Sequence, residues 1–310
     1  MYNVSVSPHI RDKSSTTKIM ADVCIALTPA LAFGVWHFGW NALIIILSSV
    51  ASCVLSEIIF ELIIKKPLTV FDLSAVVTGL IIALNMPPTV AWWIPAIGGV
   101  FAIVVIKMLF GGIGQNIMNP ALGARCFLLI SFASRMTDFA VDGVSSATPL
   151  AALKAGESVD LPDMFLGLHN GCIGEVSVAA ILIGFIYLLA RKVISIRIPA
   201  IYIGSALLFI FLFNLGSGVP SLNYMAGQLL TGGLAAGAVF MATDYTTSPI
   251  TKGGQIIYAL LLGLLTAIFR VIGSSAEGVS YAIIIGNLCV PLIEKISVPK
   301  AFGMKKKEQV

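Results

Sequence analysis

The sequence predicts an all-α integral membrane protein of about ten transmembrane helices, built as two inverted five-helix repeats with some helices broken. Three observations predict it. Apolar residues of the AVILMFWYC set make up 58% of the 310 residues and charged residues 11%, whereas a soluble domain carries about 25% charged residues to keep its surface wet. Mean hydropathy is +0.98. Ten separate apolar stretches are each close to the roughly 20 residues that cross a bilayer, and Lys and Arg cluster in alternate connections between them.

The stretches run over residues 19–38, 41–64, 70–86, 90–110, 114–133, 176–191, 198–214, 224–243, 255–272 and 279–296. The third, fifth and eighth contain Gly, Pro, Asn or Asp and read as broken helices. The chain divides into a polar N-terminal segment 1–18, a first five-helix repeat 19–133, a hydrophilic loop 134–175, a second repeat 176–296 and a basic tail 297–310. No cleaved signal peptide is expected, because residues 1–18 are polar and no small-residue cleavage site follows the first apolar run.

Charge placement predicts orientation. With the N-terminus in the cytoplasm, Arg11, Lys13, Lys18, Lys65, Lys66, Lys107, Arg191, Lys192, Arg197, Lys252, Lys295, Lys300, Lys305, Lys306 and Lys307 all fall in cytoplasmic stretches. Arg135, Lys154 and Arg270 fall outside, and Arg125 lies within a span. The 134–175 loop holds six acids, Asp138, Asp142, Glu157, Asp160, Asp163 and Glu175, against two bases. It is therefore expected on the extracytoplasmic side, with both termini in the cytoplasm. A weak internal match supports two halves. Thr78-Gly79-Leu80, Asn85-Met86 and Ile106-Lys107 correspond to Thr231-Gly232-Gly233-Leu234, Phe240-Met241 and Phe269-Arg270. Five spans per half invert the second copy, an arrangement that puts polar sites at broken helices.

The cysteines Cys24, Cys53, Cys126, Cys172 and Cys289 show no CxxC or Cys/His spacing, which argues against a metal or iron–sulfur site within this chain. They read as packing residues. His9, His37 and His169 form no cluster. Nucleic-acid binding is not expected, for there is no basic helix or basic-aromatic stripe.

The outer loop contains Asp142-Gly143-Val144-Ser145-Ser146-Ala147-Thr148-Pro149-Leu150. Taken alone, Gly, Ser, Thr and Pro mark an ordinary turn. The string is also similar to the D-G-x-S-[GS]-A-T signature at which a flavin transferase joins FMN to a threonine through a phosphoester. Such an acceptor must lie on an exposed strand that can enter another enzyme's site, and small residues let that enzyme approach the backbone. Three further strings accompany it: Phe71-Asp72-Leu73-Ser74-Ala75-Val76-Val77-Thr78-Gly79, Phe110-Gly111-Gly112-Ile113-Gly114-Gln115-Asn116-Ile117-Met118-Asn119-Pro120-Ala121, and Met241-Ala242-Thr243-Asp244-Tyr245-Thr246-Thr247-Ser248-Pro249.

With these strings the chain, from about Ile19 to Lys295, resembles the NqrB/RnfD family. That family comprises the RnfD components of Rnf electron transport complexes and the NqrB components of the sodium-pumping NADH:quinone reductases. Leu73 stands where the family pattern has glycine. The resemblance implies a membrane flavoprotein that carries electrons within an ion-translocating ferredoxin:NAD oxidoreductase. It implies covalent FMN on Thr148, with Asp142, Ser145 and Ser146 around it. It also implies a second, non-covalent flavin such as riboflavin in the bundle, with Asn116 and Asn119 as candidate ligands. The implied partners are Rnf subunits G, A, E, C and B, a flavin transferase during maturation, and the lipid bilayer of a bacterial or archaeal cytoplasmic membrane.

Ionisable groups within spans each need a partner or a role. Asp72, Arg125, Asp244 and Glu277 are such groups. Arg125 reads as the structural partner of a carboxylate. Asn116 and Asn119 have a second reading as helix–helix glue. Glu57 and Glu61, spaced i, i+4, read as headgroup-level acids paired with Lys65 or Lys66, or as an ion-uptake site. Asp22 reads as interfacial, and Trp36, Trp40, Trp92 and Trp93 as an interfacial belt. A secondary transporter or channel of inverted-repeat type without redox role is the competing function, and a purely structural scaffold the third.

Overall fold

The computed structural model describes residues 15–139, 149–155, 159–217, 220–273 and 278–299. Asp142, Ser145, Ser146, Thr148, Glu277 and the tail from residue 300 lie outside the described residues. Among the described residues all regular structure is helical. The chain is a multi-pass membrane protein, and all ten apolar stretches form helix.

Among the described residues five helices are long enough to cross a bilayer: α1 (Thr16–Phe38), α2 (Trp40–Ile64), Arg197–Asn214, Lys252–Val271 and Val279–Ser297. Ser15 starts α1 by accepting a hydrogen bond from the Lys18 amide at 3.3 Å. Gly39, with φ +73°, is the only residue between α1 and α2. That left-handed turn suits a residue with no Cβ.

The other spans are shorter or interrupted. α3 (Ser74–Leu84) and α5 (Pro120–Ser131) have 11 and 12 residues, roughly 16–18 Å at 1.5 Å per residue, about half a bilayer core. Between them lies α4 (Trp93–Met108). A four-residue turn of helix at Ala133–Met136 follows, and then two short helices in the hydrophilic segment, α6 (Pro149–Lys154) and α7 (Leu161–Leu166). The second half begins with α8 (Val178–Ala190), α9 (Arg197–Asn214) and the bent pair α10 (Leu222–Leu230) and α11 (Leu234–Met241), which meet at 56°. It ends with α12 (Lys252–Val271) and α13 (Val279–Ser297).

A half-length helix leaves carbonyls that water cannot reach. At the end of α3 the backbone of a later segment supplies donors. The Ile173 amide donates to the Met86 carbonyl at 3.0 Å, and the Gly174 amide to the Leu84 carbonyl at 2.9 Å. A Cβ at position 174 would meet the Leu84 side chain at 2.0 Å, so the approach requires glycine. The last residues of the hydrophilic 134–175 segment thus run inside the bundle. Cys172, Ile173 and Val176 are buried in the bundle. Burial, with Glu175 nearby, pushes the Cys172 thiol up to about 12, in keeping with a packing role.

Two helices widen locally into π-turns. The Leu109 amide bonds the Val104 carbonyl at 3.1 Å at the end of α4, and the Ala242 amide bonds the Gly237 carbonyl at 2.8 Å at the end of α11. Such i→i+5 turns are frequent at functional sites. Trp36, Trp40 and Trp92 are exposed at the end of the bundle that bears the 134–175 segment, while Trp93 packs on Phe132 and under Arg135. Below, this is the loop end. The opposite one, with Lys65, Lys66, Arg191 and Lys192, is the basic end.

Candidate functional site

A cleft open at its mouth, with about 90 Å³ accessible to the centre of a water-sized sphere, lies toward the basic end between the two halves. Three of the four strings singled out from sequence converge on it. Ser74, Val77 and Thr78 come from the first, Asn116, Asn119 and Pro120 from the second, and Thr243 to Thr246 from the third. The two π-turns reach it through Lys107 on α4 and through Val239 and Phe240 on α11.

Each string reaches the cleft by a local conformation. Leu73 has φ +65° and ψ +6°, a left-handed geometry that costs a non-glycine residue about 1–2 kcal/mol. The glycine of the family pattern is gone, but the conformation glycine favours is kept. Asp72 holds it: its Oδ1 accepts from the Ser74 amide at 2.8 Å and from the Ser74 hydroxyl at 2.5 Å. Glycines 111, 112 and 114 all have positive φ and turn the chain from α4 toward Asn116. Thr78 donates its hydroxyl to the Ser74 carbonyl. Gly79 lies against α2, where a Cβ would be 2.7 Å from the Val50 Cα, so its place in the string is explained by helix packing.

The two asparagines differ. Asn119 is the N-cap of α5: its Oδ1 accepts from the Ala121 amide at 3.0 Å and from the Leu122 amide at 3.4 Å, with Pro120 following. Its Nδ2 donates to the Met241 carbonyl at 3.4 Å. Its polar atoms are therefore used by the fold, although it lines the cleft. The Oδ1 of Asn116 is buried and has no hydrogen-bond partner among the described residues. A buried acceptor left unpaired costs about 1–3 kcal/mol, which marks Asn116 as the side chain with hydrogen-bonding capacity to spare. The Asp244 carboxylate is satisfied locally by the Thr246 hydroxyl at 3.0 Å and the Thr247 hydroxyl at 3.1 Å.

Beside the cleft lies a polar cluster that sequence reasoning missed. The expectation that Glu57 and Glu61 pair with Lys65 or Lys66 at headgroup level is wrong, since the two acids are 0% and 1% exposed. Glu57 Oε1 accepts from Lys107 Nζ at 2.7 Å, and Lys107 is itself only 2% exposed. Lys107 Nζ also donates to Ser74 Oγ at 2.6 Å. Glu61 accepts from the Thr69 amide at 3.0 and 3.2 Å and from the Thr69 hydroxyl. The signal was a lysine in the last turn of an apolar helix, one turn short of the glycines. An intramembrane charge implies a buried partner.

Other polar residues tie helices together. Asp22 pairs with Arg191 at 3.2 Å and accepts from the Tyr187 hydroxyl at 2.8 Å, so it joins α1 to α8 and is itself buried. Arg125 donates to Asn85 Oδ1 at 2.6 Å, to Ser280 Oγ at 3.1 Å and to Cys172 Sγ at 3.6 Å. Arg270, expected toward the extracytoplasmic side, is 1% exposed. It donates to the carbonyls of Gln228 at 2.5 Å, Thr231 at 2.8 Å and Gly232 at 3.0 Å, capping the free end of α10.

At the loop end, α6 begins immediately after Thr148. It is anchored by buried Leu150 and Leu153 and by Lys154, whose ammonium donates to the Gly273 carbonyl at 3.0 Å. Burial and the nearby Arg270 guanidinium push the Lys154 ammonium below its usual range. Leu150 reaches Gly232, where a Cβ would meet its side chain at 2.6 Å. α11 leads from that break to the cleft over eight residues, roughly 12 Å.

The profile of the NQR2, RnfD, RnfE family matches residues 3–303. The chain belongs to this family. It is similar to the D component of a Na⁺-translocating ferredoxin:NAD⁺ oxidoreductase complex from Acetobacterium woodii, at 48% identity over 98% of this chain and 96% of the relative. Similarity to the D component of a proton-translocating ferredoxin:NAD⁺ oxidoreductase complex from Clostridium ljungdahlii is 39%, over 99% of this chain and 97% of that one. Similarity to the D component of an ion-translocating oxidoreductase complex from Stutzerimonas stutzeri is 36%, over 94% and 93%. The NQR2, RnfD, RnfE family thus includes full-length relatives named for either coupling ion.

Proposed function

We propose that this chain is the RnfD component of an ion-translocating ferredoxin:NAD oxidoreductase complex of the Rnf type, and that it carries electrons on two flavins. One is FMN esterified to Thr148 by a flavin transferase, with Asp142, Ser145 and Ser146 in its recognition string. The other is a non-covalent flavin, riboflavin or FMN, in the cleft. A flavin supplies an acceptor for one or two electrons; the protein supplies position and polarity. The chain works with Rnf subunits A, B, C, E and G in a prokaryotic cytoplasmic membrane. Its termini are cytoplasmic, and its flavin-bearing loop is on the other side.

The observation that carries this reading is the convergence of three separated strings on one cleft lined by Asn116, whose buried amide oxygen has no partner among the described residues. A flavin ring has an apolar benzenoid end and a polar pyrimidine edge. The cleft offers both kinds of wall: Val77, Ile81, Val239 and Phe240 against Ser74, Lys107 and Asn116. Asn116 would take a polar edge and Lys107 any negative charge that gathers there. Asn119 keeps the loop in place.

The test uses the full chain expressed with its flavin transferase. The denatured polypeptide is expected to fluoresce on a gel, and Thr148→Ala to be dark. Denaturation of the Thr148→Ala chain is then expected to release one free flavin. A dark wild-type band made alongside an active transferase would contradict the covalent site and favour the transporter reading. A Thr148→Ala chain without releasable flavin would contradict the cleft assignment.

A further inference from the structure

The Glu57–Lys107 cluster holds more carboxylates than cations. One lysine contacts Glu57, and two further acids, Glu61 and Asp72, lie near enough to Glu57 to act on its charge. The three do not share the lysine equally. Glu61 has both oxygens engaged by Thr69. The half-buried Asp72 is engaged by Ser74. Glu57 uses Oε1 for Lys107 at 2.7 Å and for the Thr69 hydroxyl at 3.3 Å, while its Oε2 is buried with no partner among the described residues. Besides these groups, the thiol of buried Cys53, one turn earlier on α2, faces the pair. Lys107 is the one cationic side chain lining the cleft among the described residues, and its second partner, Ser74 Oγ, also lines it.

We propose that Lys107 is an exchangeable counter-charge shared between the cleft and Glu57. It neutralises Glu57 while the cleft is uncharged, and it turns to the cleft when negative charge enters there, whereupon Glu57 Oε2 takes up a proton. This rests on the cleft being the flavin site proposed above.

The physical argument is competition for one ammonium. A lysine is a compact charge on a flexible stem with three rotatable donors. Keeping Ser74 as a pivot, Nζ can exchange one anionic partner for another. In a low-dielectric interior two buried anions cannot share a single distant cation without a large penalty. The anion that loses Lys107 must therefore be neutralised. Glu57 has the open oxygen to receive a proton. A proton is the balancing charge that Glu57 Oε2 can take up without any further ligand. The balance is one electron from a one-electron donor, such as a reduced iron–sulfur or flavin group of a neighbouring subunit, against one proton from the solution at the basic end. The bond formed is the O–H on Glu57 Oε2.

The test is redox titration of the full-length Thr148→Ala chain in lipid nanodiscs, in which the cleft flavin is the chain's only flavin. In the parent chain its midpoint potential is expected to fall as pH rises, with a slope approaching about 59 mV per pH unit for one electron and one proton. Glu57→Gln removes the competing anion, and is expected to raise the potential and flatten the slope. Lys107→Met removes the cation and is expected to lower the potential. Opposite shifts follow from the two charges alone; a fixed pair would leave the pH slope unchanged in Glu57→Gln, and the flattened slope is what the exchange requires. Lys107→Arg, which keeps the charge, checks that a shift in Lys107→Met is not misfolding. Reduced-minus-oxidised infrared spectra should gain a protonated carboxylic acid band that Glu57→Gln abolishes. A bound flavin whose potential ignores pH, or a carboxylic acid band that survives Glu57→Gln, overturns the proton exchange alone. Absence of any flavin from the Thr148→Ala chain overturns the cleft reading and this proposal with it.

Discussion

Lys107 and Arg270 are aligned by the internal sequence match, and both are buried inside an apolar bundle, yet their surroundings differ in kind. Lys107 faces a carboxylate and a hydroxyl beside an open cleft. Arg270 faces three backbone carbonyls and the Gln228 side chain at 3.1 Å. Backbone carbonyls cannot change their charge. A carboxylate can. The comparison separates a cation that fastens a broken helix from a cation whose partner can be exchanged.

That distinction is most easily broken by substitution at position 270. Arg270→Met would leave several buried oxygens without donors, at about 1–3 kcal/mol each. It is expected to lower the thermal transition of the solubilised chain by roughly 10 °C or more, with only a weak pH dependence by way of the neighbouring Lys154 and Glu175. Lys107→Met is expected to cost about 3 kcal/mol at neutral pH by stranding Glu57. This loss should shrink as pH falls, because a protonated Glu57 needs no counter-charge, and it should largely vanish in the double variant with Glu57→Gln. Thermal unfolding across pH checks both. If the Lys107→Met deficit depended on pH as weakly as that of Arg270→Met, the two cations would be equivalent fasteners.

Smaller effects sharpen the picture of the cleft. Asn116→Ala removes one spare acceptor, worth about 1 kcal/mol, and should weaken retention of the non-covalent flavin roughly fivefold, read as flavin released from the Thr148→Ala chain. Leu73→Gly should relieve the left-handed strain, offset by glycine's own entropy cost, for a net gain of under about 1 kcal/mol. Thermal unfolding at one pH suffices to check it.

The ten helices were legible because hydropathy is a sum over a window and tolerates local detail. The broken ones were legible too, since Gly, Pro, Asn and Asp stand where Ser74, Asn119 and Gly232 begin or interrupt a helix. Asn119 could have been assigned as a cap from Asn-Pro alone, a common helix start. What could not be read was pairing across distance. Glu57 and Lys107 are fifty positions apart and meet directly, with Ser74 as the second partner of the lysine, delivered by a left-handed leucine whose own residue type gives no hint of it. The burial of 172–177 was hidden for a related reason: a short polar-looking stretch enters the bundle because α3 ends there with free carbonyls, and only Gly174 allows the approach.

The central claim is that this chain carries electrons by way of a flavin on Thr148. Mass spectrometry of the mature peptide spanning residues 142–150, prepared from cells that express the transferase, tests it most directly. The account predicts that peptide with the mass of FMN added and one water lost, the modification localised to Thr148. An unmodified peptide from those cells, or flavin on a different residue, would contradict it.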